Sequence, residues 1–117
     1  MTHEMRLNQI PYEAIRSGKQ LIETRLYDEK RQTIKVGDSI TFYLRPEEIE
    51  SFTAEVIGLS IFKSFKDLFQ TIDKLKFGYE ERDTLDYQIS CMRKYYSEDD
   101  ESKYGVIGIH LENRHHH

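Results

Sequence analysis

The sequence predicts an α+β domain in which about five β-strands form a small curled sheet or partly open barrel, with helices on its flanks. Residues 39–45 and 51–62 alternate apolar and polar side chains and are joined by a short polar connection, which indicates a hairpin. Two helical patterns follow within residues 64–96, and the β-branched segment 104–112 comes after them. A strand that returns to the sheet after two helices implies the α+β class. A sheet of only about five strands closes most naturally by curling into a partial barrel.

The N-terminal elements are indicated by residues that typically begin or end a helix. Residues 4–9 are a first strand, and residues 11–18 are a two-turn helix. Pro11 suits the first helical position, and Gly18 suits the residue just past the helix end. Residues 21–26 alternate in the manner of a second strand.

The middle of the chain carries two further helix signals. Residues 28–38 are a polar excursion, and a short helix begins at Ser64, which forms a capping box with Asp67. A second helix begins near Asp83 or Thr84. Its apolar stripe has helical spacing and consists of Leu85, Ile89, Met92 and Tyr96.

Length and composition limit the class of protein. The 117 residues suffice for one domain, which we place at residues 1–112, and we expect residues 113–117 to be an expression-tag remnant. The native start is open between Met1 and Met5. No apolar run approaches the length of about 18 residues that a membrane span needs. The single cysteine, Cys91, is predicted to be structural and favours a reducing, cytoplasmic location.

The charge balance bears on the partners. The formal net charge is −4, which argues against a broad basic surface for duplex binding but leaves a local basic cleft open. Much of the acid lies in the run "SEDDE", residues 97–101, which predicts a solvated loop. The scattered histidines lack metal-ligand spacing, so we expect neither a metal site nor a cofactor.

The stretch "SGKQLIETRL", residues 17–26, places opposite charges on one face of a short strand. Glu23 and Arg25 are two residues apart and therefore point the same way. One interpretation is an exposed ion pair, worth about 0–1 kcal/mol. The other is the floor of a binding site, in which the arginine fork holds a phosphate or a carbonyl-rich base edge.

Three stretches together resemble the ASCH domain family of the PUA-like β-barrel superfamily. "SGKQLIETRL" is similar to the family's G-x-K-x-x-E-x-R segment, "IKVGDSITF" to its G-D plus strand, and "YYSEDDESKYGVIGI" to its closing segment. The resemblance covers most of residues 5–112 and implies a small PUA-like, partly open barrel. It also implies a nucleotide-type ligand.

The resemblance implies a cleft between the first helix and the barrel. A modified nucleoside, a nucleobase or single-stranded RNA would bind there, and single-stranded RNA suits the charge balance better than duplex. The residues expected to bind the ligand are Lys19, Gln20, Glu23, Arg25 and Tyr96. A plain protein-interaction module is a further class that the sequence leaves open.

An enzyme is the opposing class. Some ASCH proteins are amidohydrolases that remove the acyl group from N4-acetylcytidine with a lysine, a threonine and a later glutamate. By position, these fall on Gln20, Glu23 and Glu81, so two of the three are replaced. If the chain were such an enzyme, Glu81 or Glu23 would activate water and Lys19, one place before the family lysine, would stabilise the oxyanion.

Overall fold

The computed structural model describes residues 1–113, which form a mixed five-stranded half-barrel flanked by four α-helices. This confirms the α+β prediction and the partly open barrel. The strands are β1 (Thr2–Leu7), β2 (Ile22–Leu26), β3 (Ser39–Leu44), β4 (Ser51–Phe62) and β5 (Val106–Asn113). The helices are α1 (Gln9–Ser17), α2 (Phe65–Thr71), α3 (Leu85–Arg93) and α4 (Glu98–Tyr104), and a 3₁₀ turn spans Lys74–Phe77.

The strand order is β1-β3-β4-β5-β2, so β1 and β2 are the two edges of the sheet. Strands β3 and β4 are antiparallel neighbours, and β5 is antiparallel to both β4 and β2, which confirms the predicted pairing of the central and closing strands. Only the β1–β3 pair is parallel. The two edges approach each other at an opening, the seam, where Arg25 Nη2 on β2 lies 3.4 Å from the carbonyl oxygen of Arg6 on β1.

Apolar side chains form a core on each face of the sheet. The first core lies inside the half-barrel beneath α1 and includes Tyr12, Ile15, Ile40, Phe42, Val56, Ile107 and Ile109. The second lies on the outer face, where α2 packs against β4 and β5 and the 3₁₀ turn against β2, and includes Ile22, Leu26, Phe65, Leu68, Phe69, Phe77 and Val106. The edge strand β2 therefore borders the seam and faces the first core on one side and the second core on the other.

Three of the four residues predicted to begin or end a helix do so in the structure. Gly18 ends α1 with φ +88°, and the hydroxyls of Ser64 and Thr84 each accept a hydrogen bond from the backbone N–H three residues later, at 3.1 Å. The placement of Pro11 at the first helical position is wrong, because α1 begins two residues earlier, at Gln9. Proline is tolerated there because an N–H in the first turn has no partner within the helix.

The predicted solvated loop at residues 97–101 is also wrong. Ser97 caps α4, and its hydroxyl accepts a hydrogen bond from Asp100 N at 3.1 Å. The acidic residues fill the first turn of α4, where carboxylates stabilise a helix. Glu101 is buried, accepts a hydrogen bond from Phe65 N at 2.6 Å, and forms an ion pair with Arg93.

The last described residue belongs to the sheet. Strand β5 ends at Asn113, whose Nδ2 donates to the carbonyl oxygens of Ile15 and Arg16 at the end of α1. Residues 114–117 of the predicted tag remnant lie outside the described residues. Within residues 1–113, no helix is long and apolar enough to cross a membrane.

Candidate functional site

A groove of about 690 Å³ opens at the seam, between α1 and the segment that carries the 3₁₀ turn and α3. One wall comes from the end of β1 and from α1, the floor comes from β2, and the opposite wall comes from residues 77–96. Its lining residues are 6–8, 10, 11, 14, 19, 20, 23–25, 45, 77–80, 82, 83, 87, 91, 92 and 94–96.

Glu23 and Arg25 form the floor of the groove. They lie opposite Ile109 and Ile107 of β5, so they project from the face of β2 that looks into the first core. Arg25 Nε donates to Glu23 Oε2 at 2.6 Å, and only 14% and 9% of the two side chains are exposed. The pair is therefore a buried ion pair at the sheet edge, not an exposed one.

The floor electrostatics keep Arg25 charged. Burial alone would lower the pKa of Arg25, but the Glu23 carboxylate, together with Tyr96 and Asp28, outweighs burial and raises the pKa above its usual value. Burial raises the pKa of Tyr96, whose phenol also feels Arg25 and Glu23, so Tyr96 stays neutral at physiological pH. The floor thus offers a guanidinium, a carboxylate and a phenol within one low-dielectric site.

Gln20 joins the floor from the end of α1. Its Nε2 donates to the carbonyl oxygen of Ile22 at 2.8 Å and lies 3.4 Å from Glu23 Oε1. The two carboxylate oxygens of Glu23 therefore face two different donors, Gln20 and Arg25.

The groove is basic although the chain is acidic. Its lining contains only three acidic residues, Glu23, Glu80 and Asp83, against six basic ones. The basic residues are Arg6, Lys19, Arg25, Arg45, Arg82 and Lys94. Because Glu23 already compensates Arg25, the positive excess lies on the rim.

Aromatic side chains line the wall opposite α1. Tyr79 packs edge-on against Tyr87, with 6.2 Å between ring centroids, and Tyr95 lies beside Tyr96 at 6.4 Å. Tyr87 and Tyr95 are 51% and 67% exposed, so their rings are accessible from the groove. Burial and, after it, the Cys91 side chain raise the pKa of Tyr79, and a hydrogen bond with Cys91 raises the pKa of Tyr87.

Comparison with solved structures identifies relatives. The chain is 34% identical to hypothetical protein PH0355, with a TM-score of 0.84 and coverage of 97% of this chain and 99% of the other. For protein PF0455 from Pyrococcus furiosus, the identity is 30%, the TM-score 0.74 and the coverage 99% and 100%. This chain belongs to their family.

The fold is that of an ASCH domain. The structure of ASCH from Zymomonas mobilis superposes with a TM-score of 0.66 at 15% identity, over 96% of this chain and 67% of that one. The resemblance seen in the sequence is thereby confirmed at the level of the fold. No protein-family model and no curated protein matches the chain.

Five of the six site residues predicted from the sequence lie around the groove: Lys19, Gln20, Glu23, Arg25 and Tyr96. Glu81 does not. It lines a separate cavity of about 510 Å³ at the start of α3. Its backbone carbonyl accepts a hydrogen bond from Lys74 Nζ at 2.5 Å, and Lys74 also donates to the carbonyl of Asp83 at 2.8 Å. These bonds anchor the loop, of which Glu80, Arg82 and Asp83 border the groove whereas Glu81 does not.

Sequence reasoning missed several lining residues. They are the rim cations Arg6, Arg45, Arg82 and Lys94 and the wall residues Tyr79 and Tyr87, which come from β1, from the connection after β3 and from residues 79–94. Only the frequency of tyrosine between residues 79 and 96 signalled the wall in advance. Among residues 1–113, no group of three histidine, cysteine or acidic side chains is arranged to hold a metal ion.

Proposed function

We propose that the groove binds a nucleotide-type ligand, a modified nucleoside or single-stranded RNA, with the base on the floor and the phosphates at the rim. The observation that carries this proposal is the buried Glu23–Arg25 pair beneath a basic rim and beside exposed tyrosines. The ASCH fold supports the same class of ligand through the resemblance described above.

The floor suits a base better than a phosphate. The edge of a nucleobase presents hydrogen-bond donors beside acceptors, which match a carboxylate beside a guanidinium. A phosphate on the floor would be repelled by the Glu23 carboxylate, which is buried and therefore weakly screened. The uncompensated cations Arg45 and Lys94 are exposed and can meet a phosphate without that repulsion.

The wall favours single strands over duplex. Exposed rings of Tyr87 and Tyr95 can stack only on bases that are unpaired and splayed out. A duplex would need a wide basic surface, whereas the net charge of the whole chain is −4 and the positive excess is confined to the groove. A cytoplasmic location, where such RNA is available, stays a prediction.

The geometry supports binding better than amide hydrolysis. Hydrolysis by the mechanism considered above needs Lys19 within hydrogen-bond reach of a carboxylate in a closed pocket. Lys19 is exposed at the groove mouth, and its ammonium makes no ion pair among the described residues. Glu81, the expected base, lies in the other cavity.

A thermal-shift series tests the proposal. The ligands are the four ribonucleosides, N4-acetylcytidine, a short single-stranded RNA and the same RNA as a duplex. A ligand that binds the native state stabilises it and so raises the melting temperature. At a free ligand concentration of a hundred times Kd, the free energy of unfolding increases by about 2.7 kcal/mol. We expect a rise with a nucleoside or with the single strand and a smaller rise with the duplex. In Tyr95→Ala, the rise with the single strand should be smaller than in the wild type. No rise with any of these ligands would contradict the proposal.

A further inference from the structure

Gly78 lies directly against Gln20 on the wall of the groove. It has φ +88°, and a Cβ atom built on it would lie 3.2 Å from Gln20 Cβ and 3.5 Å from Gln20 Oε1. The contact with Gln20 Cβ is tighter than nearly all real Cβ contacts, whereas the distance to Oε1 is an ordinary van der Waals distance. Any other residue at position 78 would therefore displace Gln20 or the 3₁₀ turn that precedes Gly78.

Gln20 has little freedom to move aside. Its backbone N–H donates to the carbonyl of Ala14 at 2.9 Å, and the N–H of the next residue, Leu21, donates to Lys76 in the 3₁₀ turn at 2.8 Å. Its side-chain amide is tied to Ile22 at 2.8 Å. A methyl group added at Gly78 would press on Gln20 Cβ, which side-chain rotation does not move. The backbone of Gln20 or of the 3₁₀ turn must therefore shift, and this changes the position of the Gln20 amide relative to Glu23.

We infer that Gly78 and Gln20 are positioning residues for the floor. Gly78 leaves room for the Gln20 side chain, the Gln20 amide faces Glu23 Oε1, and Arg25 Nε binds the other oxygen of Glu23. The carboxylate of Glu23 is thus held from both sides. Its orientation in turn sets the orientation of the Arg25 guanidinium beside the groove.

A neutral amide at position 20 suits this arrangement. A lysine there would bring a second full positive charge to Glu23 and compete with Arg25 for the same carboxylate. Glutamine supplies a donor without a charge, so the floor stays neutral overall and accepts an uncharged base edge. The match to an uncharged base edge rests on the proposed function, whereas the positioning of Glu23 and Arg25 by Gln20 and Gly78 does not.

The exchange rate of the Arg25 Nε proton with water, measured by NMR, tests the positioning without any ligand. In Gly78→Ala, the displaced glutamine should weaken the Glu23–Arg25 hydrogen bond, and loss of about one hydrogen bond accelerates exchange roughly tenfold. Gly37→Ala is the matched control, because Gly37 also has a positive φ, +98°, but no atom lies within 4 Å of its added Cβ. Its Arg25 exchange rate should equal that of the wild type.

Gln20→Ala gives the same test without backbone strain, in case Gly78→Ala does not fold. It should also accelerate the Arg25 exchange, because it removes the donor to Glu23. Unchanged exchange in Gln20→Ala, or equal acceleration in the Gly78 and Gly37 variants, would overturn the inference. If the wild type binds no nucleoside or RNA, the proposed function fails, and the exchange rates still decide the positioning.

Discussion

Glu23 and Arg25 join the two edges of the sheet through one chain of hydrogen bonds. Arg25 Nε binds Glu23 at 2.6 Å within β2, and Arg25 Nη2 reaches the carbonyl of Arg6 on β1 at 3.4 Å. The strands on either side of the seam share no backbone pairing. A charged pair therefore connects them where a closed barrel would have a ladder of hydrogen bonds.

Arg25→Met should reduce the free energy of unfolding by about 3–5 kcal/mol, since it leaves the Glu23 carboxylate buried without its partner. Denaturant titration with a two-state fit measures the loss. The double variant Glu23→Leu/Arg25→Met should lose clearly less, because no buried charge remains. If Arg25→Met lost less unfolding free energy than the double variant, the Glu23–Arg25 pair would be solvated and not buried.

Glu101→Ala should destabilise the domain by about 2–4 kcal/mol, because the Phe65 N–H and Arg93 both lose their partner. Glu98→Ala is the control, since Glu98 lies in the same helix and is exposed. Its effect should stay within about 0.5 kcal/mol. Equal losses in the two variants would mean that α4 contributes through helix propensity alone.

Tyr95→Ala should weaken binding of single-stranded RNA by about 1–3 kcal/mol, the usual contribution of one stacked base. Ile49→Ala, which removes an exposed apolar side chain outside the groove, should leave the affinity unchanged. Fluorescence anisotropy with a labelled oligonucleotide measures both. Unaltered affinity in Tyr95→Ala would place the strand elsewhere.

Arg45→Ala should lower the dependence of that affinity on salt. If Arg45 meets one phosphate, its loss reduces the slope of log K against log salt by about 0.7, the value for single strands. The same anisotropy assay at four salt concentrations gives the slope. An unchanged slope would remove Arg45 from the phosphate path.

The domain should lose stability in acid through Asp38. The hydrogen bond from His3, at 2.8 Å, and the backbone N–H of Lys35 lower the pKa of Asp38 from 3.8 to about 2. A depressed carboxyl pKa stabilises the fold fully above 3.8, and the contribution disappears as the pH falls through about 2. Asp38→Asn should flatten the fall in unfolding free energy across this window, and an equally steep fall in the variant would contradict the assignment.

We expect no release of acetate from N4-acetylcytidine above the buffer rate, because Gln20 and Glu23 occupy two of the three positions that the amidohydrolases use. A coupled acetate assay decides this. Should the wild type nevertheless turn over rapidly, Lys19→Ala separates the possibilities. A loss of about 10²–10³ in rate would assign the oxyanion contact to Lys19.

Local patterns predicted the elements that rest on local physics. The alternation in β3 and β4 and the capping hydroxyls of Ser64 and Thr84 act within a few residues, and the structure has them as expected. The face shared by Glu23 and Arg25 followed from the two-residue period of a strand. Their burial did not, because it depends on α1 and residues 77–96 closing over the sheet edge.

The predictions that were wrong concern residues whose environment is set by tertiary packing. The run at residues 97–101 has the composition of a solvated loop, and only the distant Phe65 N–H and Arg93 make Glu101 a buried helix residue. Glu81 was assigned by its place relative to α3, whereas Lys74 holds its loop to another cavity. Both outcomes depend on how separate elements pack against one another, which the local composition does not show.

The place of β5 within the sheet has a consequence for how the protein is made. It pairs with both β4 and β2, yet it is the last of the five strands to leave the ribosome. Until Val106–Asn113 emerges, β2 has no strand partner and one edge of β4 is unpaired, and such edges invite association between nascent chains. Because the residues that pair between β5 and β2 lie 80 to 88 positions apart in the sequence, the half-barrel can form only after β5 has emerged, and it closes slowly.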